Sequence, residues 1–406
     1  MKKSFLNKAI ISFIILISVF CISYNVFAYT PQSLYDEVWK LIYSKYVDQD
    51  NNGQNWNKWR HKYDDEIKTD KDAFVAIDTM VLSLNDPYTK FLNPEEFAEE
   101  GSAISGTLKG IGVQISVKDG KLLVVAPIED TPASKAGLLA NDYIVEINGK
   151  STKGMSVKDA ADNIRGEEGT TVTLLIRRNN VDKTFIIPRA EIKLKSISTT
   201  PVNKMKLNDS IGYIRISTFM NKSTAAEFAQ ALTTLSKKQG YIIDLRSNPG
   251  GLLSNAIFIT DMLVSGGTIV STVDRDGYKD TTRASKRIVT NKPLVVLING
   301  GSASASEILS GALKDNGRAT LVGEKTFGKG LVQEINRLPG GSGINITTQK
   351  YLTPNGTDIN KKGITPDIEI KLTEDDIKNE KDPQLLKAQS VLIEKICQCN
   401  KTANQN

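Results

Sequence analysis

The chain has 406 residues, 40% hydrophobic and 24% charged, with a formal net charge of +6 and a single histidine. This length is enough for two or three domains, and the hydrophobic share is that of a soluble protein. The mild positive charge comes without a basic cluster interleaved with aromatics, so it gives no case for nucleic-acid binding. One histidine also rules out a His-Glu-x-x-His metal site.

The first 28 residues read as a secretory signal. Lys2, Lys3 and Lys8 form a positive n-region, Ile10 to Ile22 an apolar h-region, and Val26-Phe27-Ala28 offers a cleavage site. Its removal lowers the formal charge from +6 to +3 and leaves two cysteines, Cys397 and Cys399. A C-x-C pair beside a polar tail is a poor structural disulfide and lacks further zinc ligands. The expectation is an exported protein. If the segment stays uncleaved it is long enough to anchor the chain in a membrane. Cys21 follows Phe20 rather than a small residue, which argues against a lipid anchor.

Residues 29–104 read as a helical region. Leu34, Val38, Leu41, Ile42 and Tyr46 recur at helical spacing, as do Phe74, Ile77, Met80, Val81 and Leu84. The loop Asp48 to Gly53 has Trp59 where a calcium loop needs a glutamate, so calcium is discounted. Asn93-Pro94-Glu95-Glu96 starts another helix with a cap and early acids.

Residues 105–190 change character. Gly110-Ile111-Gly112-Val113 precedes a strand. Leu122 to Ala126 is a second strand and Pro132 to Leu138 a short helix. A strand from Asp142, a helix from Val157 to Arg165 and two more strands follow. This order resembles a PDZ domain. The resemblance implies that an extended peptide is added to a sheet edge, with backbone N–H groups of Gly110, Ile111, Gly112 and Val113 holding its terminal carboxylate. Arg165, at the end of the helix, is the candidate sensor of peptide occupancy, pairing with a carboxylate.

Residues 191–375 alternate short β-branched runs with helical ones. Ile211–Ile216, 240–245, 293–298 and 320–322 read as strands, and 224–235 and 255–263 as helices. Such alternation predicts an α/β core with a covered sheet. Residues 376–406 hold a last amphipathic helix from Pro383 to Ile396 and a tail.

The chemistry concentrates in this core. Ser304 sits among small residues, Gly300 to Ser306, where a strand gives way to a helix, and Lys329 follows 25 residues later between Gly328 and Gly330. A serine nucleophile needs a base. With histidine nearly absent, a lysine made neutral by burial is the available one. Gln333 could hold its amine. Gly250 and Gly251, after a strand end, and Ala305 at the helix start could offer N–H groups to an oxyanion. Ser302 and Ser306 are rival nucleophiles. Glu307 and Asp315 read as helix-stabilising acids rather than catalytic ones, and His61 as structural. No Gly-x-Ser-x-Gly or Ser-x-x-Lys occurs.

Together Leu84 to Leu92, Asp244 to Gly251, Gly301 to Ile308, Gly323 to Gln333 and Lys362 to Asp367 resemble the C-terminal processing peptidases, or tail-specific proteases. The matches run from about Tyr35 to Ala388, in the family's order. The resemblance implies a multi-domain α/β fold: a peptidase core with an inserted PDZ domain and an N-terminal helical region. It also implies Ser304 as nucleophile, Lys329 as base, Gln333 as its orienting partner, and Gly250 or Gly251 with Ala305 as oxyanion donors. No metal or cofactor is implied. The expected partners are protein substrates bound by their C-termini, and a homo-oligomer is compatible with the sequence. The alternative from another class is a catalytically silent PDZ adaptor.

Overall fold

A computed structural model describes residues 29–403, apart from 119, 129–130, 140, 194, 202–204, 374, 377–378 and 380. The signal-like segment therefore lies outside the described residues. Among those described, no helix is long and apolar enough to cross a membrane.

The N-terminal region comprises α1 (Pro31–Lys45), a single 3-10 turn (Trp56–Trp59), α2 (Asp70–Leu82), β1 (Lys90–Leu92) and α3 (Pro94–Ser105). Local sequence starts each α-helix. Thr30 and Ser33, Thr69 and Asp72, and Asn93 and Glu96 form reciprocal capping boxes, with proline in the first turn of α1 and α3. Leu34, Val38, Ile42, Ile77 and Met80 are fully buried in one cluster, which Trp56 and Trp59 of the 3-10 turn complete. That cluster also takes in Ile344 and Ile346.

The second unit holds β2 (Thr107–Gly110), β3 (Val113–Lys118), β4 (Lys121–Pro127), α4 (Pro132–Lys135), β5 (Tyr143–Ile147), β6 (Lys150–Ser151), α5 (Val157–Ile164), β7 (Thr171–Arg178), β8 (Val181–Pro188) and β9 (Ala190–Lys193). Strands β3, β4, β5, β7 and β8 form one antiparallel sheet, with β6 paired to β5, around a core of Val124, Ile144, Leu174 and Ile176. Strand β2 pairs instead with β9, so entry and exit of the unit run side by side as a two-stranded stalk.

The core contains β10 (Ile197–Ser198), β11 (Ile211–Ile216), α6 (Thr224–Thr234), β12 (Gly240–Asp244), α7 (Leu253–Asp261), β13 (Thr268–Asp274), β14 (Lys279–Arg283), β15 (Leu294–Ile298), α8 (Ala305–Asp315), β16 (Ala319–Gly323), β17 (Leu331–Arg337), β18 (Gly343–Leu352), β19 (Ile368–Glu369) and α9 (Pro383–Ala403). Its main sheet has the order β10-β11-β12-β15-β16-β19, parallel except for β10. Strands β12 and β15 are buried at every position, as a sheet covered on both faces requires. Ile243, Val296 and Leu321 face α6, α7 and α8, while Ile242, Val295 and Val322 face α9.

A second sheet, β1-β18-β13-β14 with β17 on β18, lies beside the first. The sequence does not mark β13, β14 or β17: β14 and β17 are largely polar and part-exposed, and the buried apolar pair of β13, Ile269 and Val270, is too short a run among polar residues. Strand β1 pairs with β18 through Lys90–Asn345 to Leu92–Gly343, which builds the N-terminal region into this sheet.

Candidate active site

Strand β15 ends at Ile298, and six residues later the chain enters α8 through Ser304. Ser304 has φ 53° and ψ −114°, a strained backbone for a residue with a side chain. Two side chains brace it, besides the Glu307 and Ile308 N–H groups that donate to its carbonyl. Its N–H donates to a Glu307 carboxylate oxygen at 2.9 Å, and its carbonyl accepts from the Tyr351 hydroxyl at 3.2 Å. The rival serines are both fully buried. Ser302 Oγ donates to the Leu245 carbonyl at 2.8 Å, and Ser306 Oγ to the Asn248 carbonyl at 2.9 Å. Ser304 instead borders a cleft of about 390 Å³ whose lining includes Tyr88, Gly250, Gly251, Lys329 and Gln333.

The loop after β12 closes on the serine turn. Gly250 has φ 98°, and a Cβ there would stand 2.6 Å from the Ala303 oxygen and 2.9 Å from both the Ala305 nitrogen and Ser304 Cβ. Only glycine allows that approach. The three proposed backbone donors are not equivalent. The Gly250 N–H already donates to Asn248 Oδ1 at 2.9 Å, so it is not open to a ligand. Those of Gly251 and Ala305 make no hydrogen bond among the described residues. Ala305 begins α8, where first-turn N–H groups lack intrahelical partners. Asn248, fully buried, organises this turn. It also donates to the Ile216 carbonyl at 2.8 Å, and its own carbonyl accepts the Ala303 N–H at 3.0 Å.

Lys329 reaches the cleft from the loop between β16 and β17. Burial pushes its amine below the ordinary 10.5, with Asp86 pulling the other way. A desolvated amine is more readily neutral, which a base requires. Its Nζ lies 4.4 Å from the centroid of the Tyr88 ring. Neither a Ser304 nor a Gln333 hydrogen bond reaches it. Gln333 does border the same cleft, but its amide donates to Thr347 Oγ1 at 3.3 Å. The ladder shifts register between Val332 and Gln333, and such a bulge re-aims the side chains beside it.

The serine and lysine segments are joined by Glu307, which is fully buried. Besides Ser304 N–H, its carboxylate accepts the Thr326 hydroxyl at 2.6 Å, Gly328 N–H at 2.7 Å and Lys329 N–H at 2.9 Å. No cation pairs with it among the described residues, so these donors and the start of α8 carry its charge. The acid was read from sequence as a helix stabiliser; its contacts give it a wider role. Asp315 accepts from Thr353 at 2.6 Å and Asn355 at 3.0 Å, outside the cleft lining. His61 bonds Asp64 at the surface. Sequence reasoning missed Tyr88, Asn248 and Tyr351. The Asp86-Pro87-Tyr88 turn, which breaks the helical pattern, was the available signal for the first.

In the second unit, the N–H groups of Ile111 and Gly112 make no hydrogen bond among the described residues. Gly110 closes β2 against Ala190 and Val113 opens β3, leaving Ile111-Gly112 as the turn between them. Arg165 follows α5 and pairs with Glu99 of α3 and with Asp162 at 3.6 Å.

A hydroxyl at a strained turn, a desolvated amine and the open Gly251 N–H on one cleft, with the open Ala305 N–H next to Ser304, can support acyl transfer. The family model for Peptidase family S41 matches residues 210–370 and that for the PDZ domain matches 123–178. The molecule is thus of the class of PDZ-containing serine peptidases. A carboxyl-terminal-processing protease of Synechocystis is 41% identical over 83% of this chain and 80% of its own. The Bacillus subtilis carboxy-terminal processing protease CtpA is 40% identical over 75% of this chain and 66% of its own. The solved structure of a photosystem II D1 C-terminal processing protease superposes with TM-score 0.57 at 34% identity, covering 85% of this chain and 94% of that one. The chain belongs to the carboxyl-terminal-processing proteases of peptidase family S41.

Proposed function

We propose that the protein is an exported endopeptidase that cuts protein substrates near their C-termini. Ser304 is the nucleophile, Lys329 the general base, and the Gly251 and Ala305 N–H groups the oxyanion donors. The observation that carries this reading is the convergence of Ser304 and Lys329 on one cleft, with Ser302 and Ser306 committed to backbone carbonyls. Neutral Lys329 takes the proton of Ser304 Oγ as it attacks the scissile carbonyl. The resulting oxyanion is held by the open N–H groups, and the lysine ammonium protonates the departing amine. Water then releases the acyl-enzyme, again with Lys329 as base. Gln333, which lines the same cleft, orients the amine in exchange for its bond to Thr347.

The PDZ domain holds the substrate's last residues, its Ile111-Gly112 turn taking the terminal carboxylate. Export rests on the N-terminal signal pattern. Incubating the purified protein with a C-terminally tagged, denatured substrate and mapping cuts by mass spectrometry tests the reading. Cuts near the tag are expected from the wild type and the Ser302→Ala variant. Losses on the order of 10⁴ are expected in Ser304→Ala and Lys329→Ala, with no further loss in the double variant. No cleavage by the wild type, with retained binding of tailed peptides, would favour a silent adaptor instead.

A further inference from the structure

The amine of Lys329 makes no hydrogen bond or ion pair among the described residues. It lies over the Tyr88 ring, 4.4 Å from the centroid, well within the reach of a cation–π attraction. The ring is held firmly. Tyr88 N–H donates to Asp86 Oδ1 at 3.0 Å, and the Thr89 hydroxyl donates to Asp86 Oδ2 at 2.7 Å. The Thr347 N–H in β18 in turn donates to Thr89 Oγ1 at 3.1 Å, which staples the turn to the second sheet. The Tyr88 hydroxyl makes no hydrogen bond among the described residues, so the ring face is the part of Tyr88 in use.

We propose that Tyr88 is a positioning residue for Lys329: its ring holds the amine while it is protonated and releases it to Ser304 once it is neutral. Tyr88 thereby sets the pH at which the base becomes available. The inference rests on the Ser304–Lys329 reading above. A ring quadrupole attracts the ammonium but not the neutral amine, so it favours retention of the proton. Asp86, on the same turn, acts in the same direction, and burial acts against both.

The other charged groups around the amine are the Glu307 carboxylate on its own backbone, Lys90 and Glu100 bordering the cleft, and Lys361, whose N–H bonds the Gly328 carbonyl. Burial raises the Tyr88 hydroxyl, and raises the Tyr351 hydroxyl well above the ordinary range. Both phenols therefore stay neutral while Lys329 titrates. Carboxylates ordinarily titrate several units below an amine.

The test follows covalent labelling of Ser304 by a fluorophosphonate probe as a function of pH, which reports the base without a peptide in the PDZ domain. Tyr88→Phe keeps the ring and should keep the wild-type midpoint. Tyr88→Leu removes it and should move the midpoint down by roughly half to one pH unit. Tyr88→Trp, with the stronger cation-binding face, should move it up, and carries the test if the leucine variant does not fold. A role in packing alone would change KM or stability and leave the midpoint in place. An unmoved midpoint in both Leu and Trp variants, or a Phe variant that shifts as Leu does, overturns the inference. Labelling that is absent in wild type, or unaffected by Lys329→Ala, overturns the underlying serine–lysine reading instead.

Discussion

Replacing Glu307 by glutamine tests whether one buried carboxylate holds the site together. The carboxylate accepts four donors: Ser304 N–H and Lys329 N–H on one oxygen, Thr326 hydroxyl and Gly328 N–H on the other. A glutamine offers one oxygen and one NH2. Turned one way, its NH2 faces two N–H groups, those of Ser304 and Lys329; turned the other, it faces the Gly328 N–H and a Thr326 hydroxyl that can accept as well as donate. Each buried donor left without an acceptor costs about 1–3 kcal/mol, so one or two cost roughly 1–6 kcal/mol. Entry of water brings the loss toward the lower half of that range. The four contacts join the Ser304 turn to the Lys329 loop, and a shift of about 1 Å in a catalytic constellation costs on the order of 10²-fold in rate. Cleavage of a tailed peptide with kcat and KM separated should therefore show a fall mainly in kcat, together with a lowered thermal unfolding midpoint. A Glu307→Gln protein with wild-type kcat and midpoint would refute the argument.

Cleavage by the wild type should rise with pH and then level off, because the buried Lys329 loses its proton below the ordinary 10.5. The same lowering means that the unfolded chain binds this proton more tightly, so stability should also rise with pH between the folded and unfolded values. Denaturant titrations of wild type and Lys329→Met across that window read the difference; equal slopes would refute it. Amidating a substrate's C-terminus should weaken binding about tenfold for each 1.4 kcal/mol lost at the Ile111-Gly112 turn. Equal KM for free and amidated peptides would exclude that turn as the selector. Arg165→Ala breaks the Glu99 contact between the PDZ domain and α3, and should alter cleavage of tailed substrates more than of short peptides. Equal change in both would mark the pair as an ordinary surface contact, worth about 0–1 kcal/mol.

Much of the molecule was legible because its signals are local. Capping residues such as Thr69 and Asn93 stand beside the helices they start, and β12 and β15 are buried at every position because both faces are covered, so their runs are apolar up to Asp244 at the end of β12. The small-residue approach to Ser304 and the glycines around Lys329 likewise mark where a backbone must turn tightly. What the linear chain left open depends on atoms brought together from distant segments. Three serines alternate identically, and only the carbonyls of Leu245 and Asn248, supplied by another loop, engage two of them and leave Ser304 on the cleft. Gly250 and Gly251 are adjacent and alike until Asn248 takes the N–H of the first. Glu307 is a helix-cap acid by pattern, and its reach to Lys329 exists only because β16 returns the chain beside α8. Strands β13, β14 and β17 carry no long apolar run and become strands by pairing with β18 and with one another. Propensity and periodicity are properties of neighbouring residues; hydrogen-bond partners, desolvation and register are set by packing, which only the tertiary structure decides.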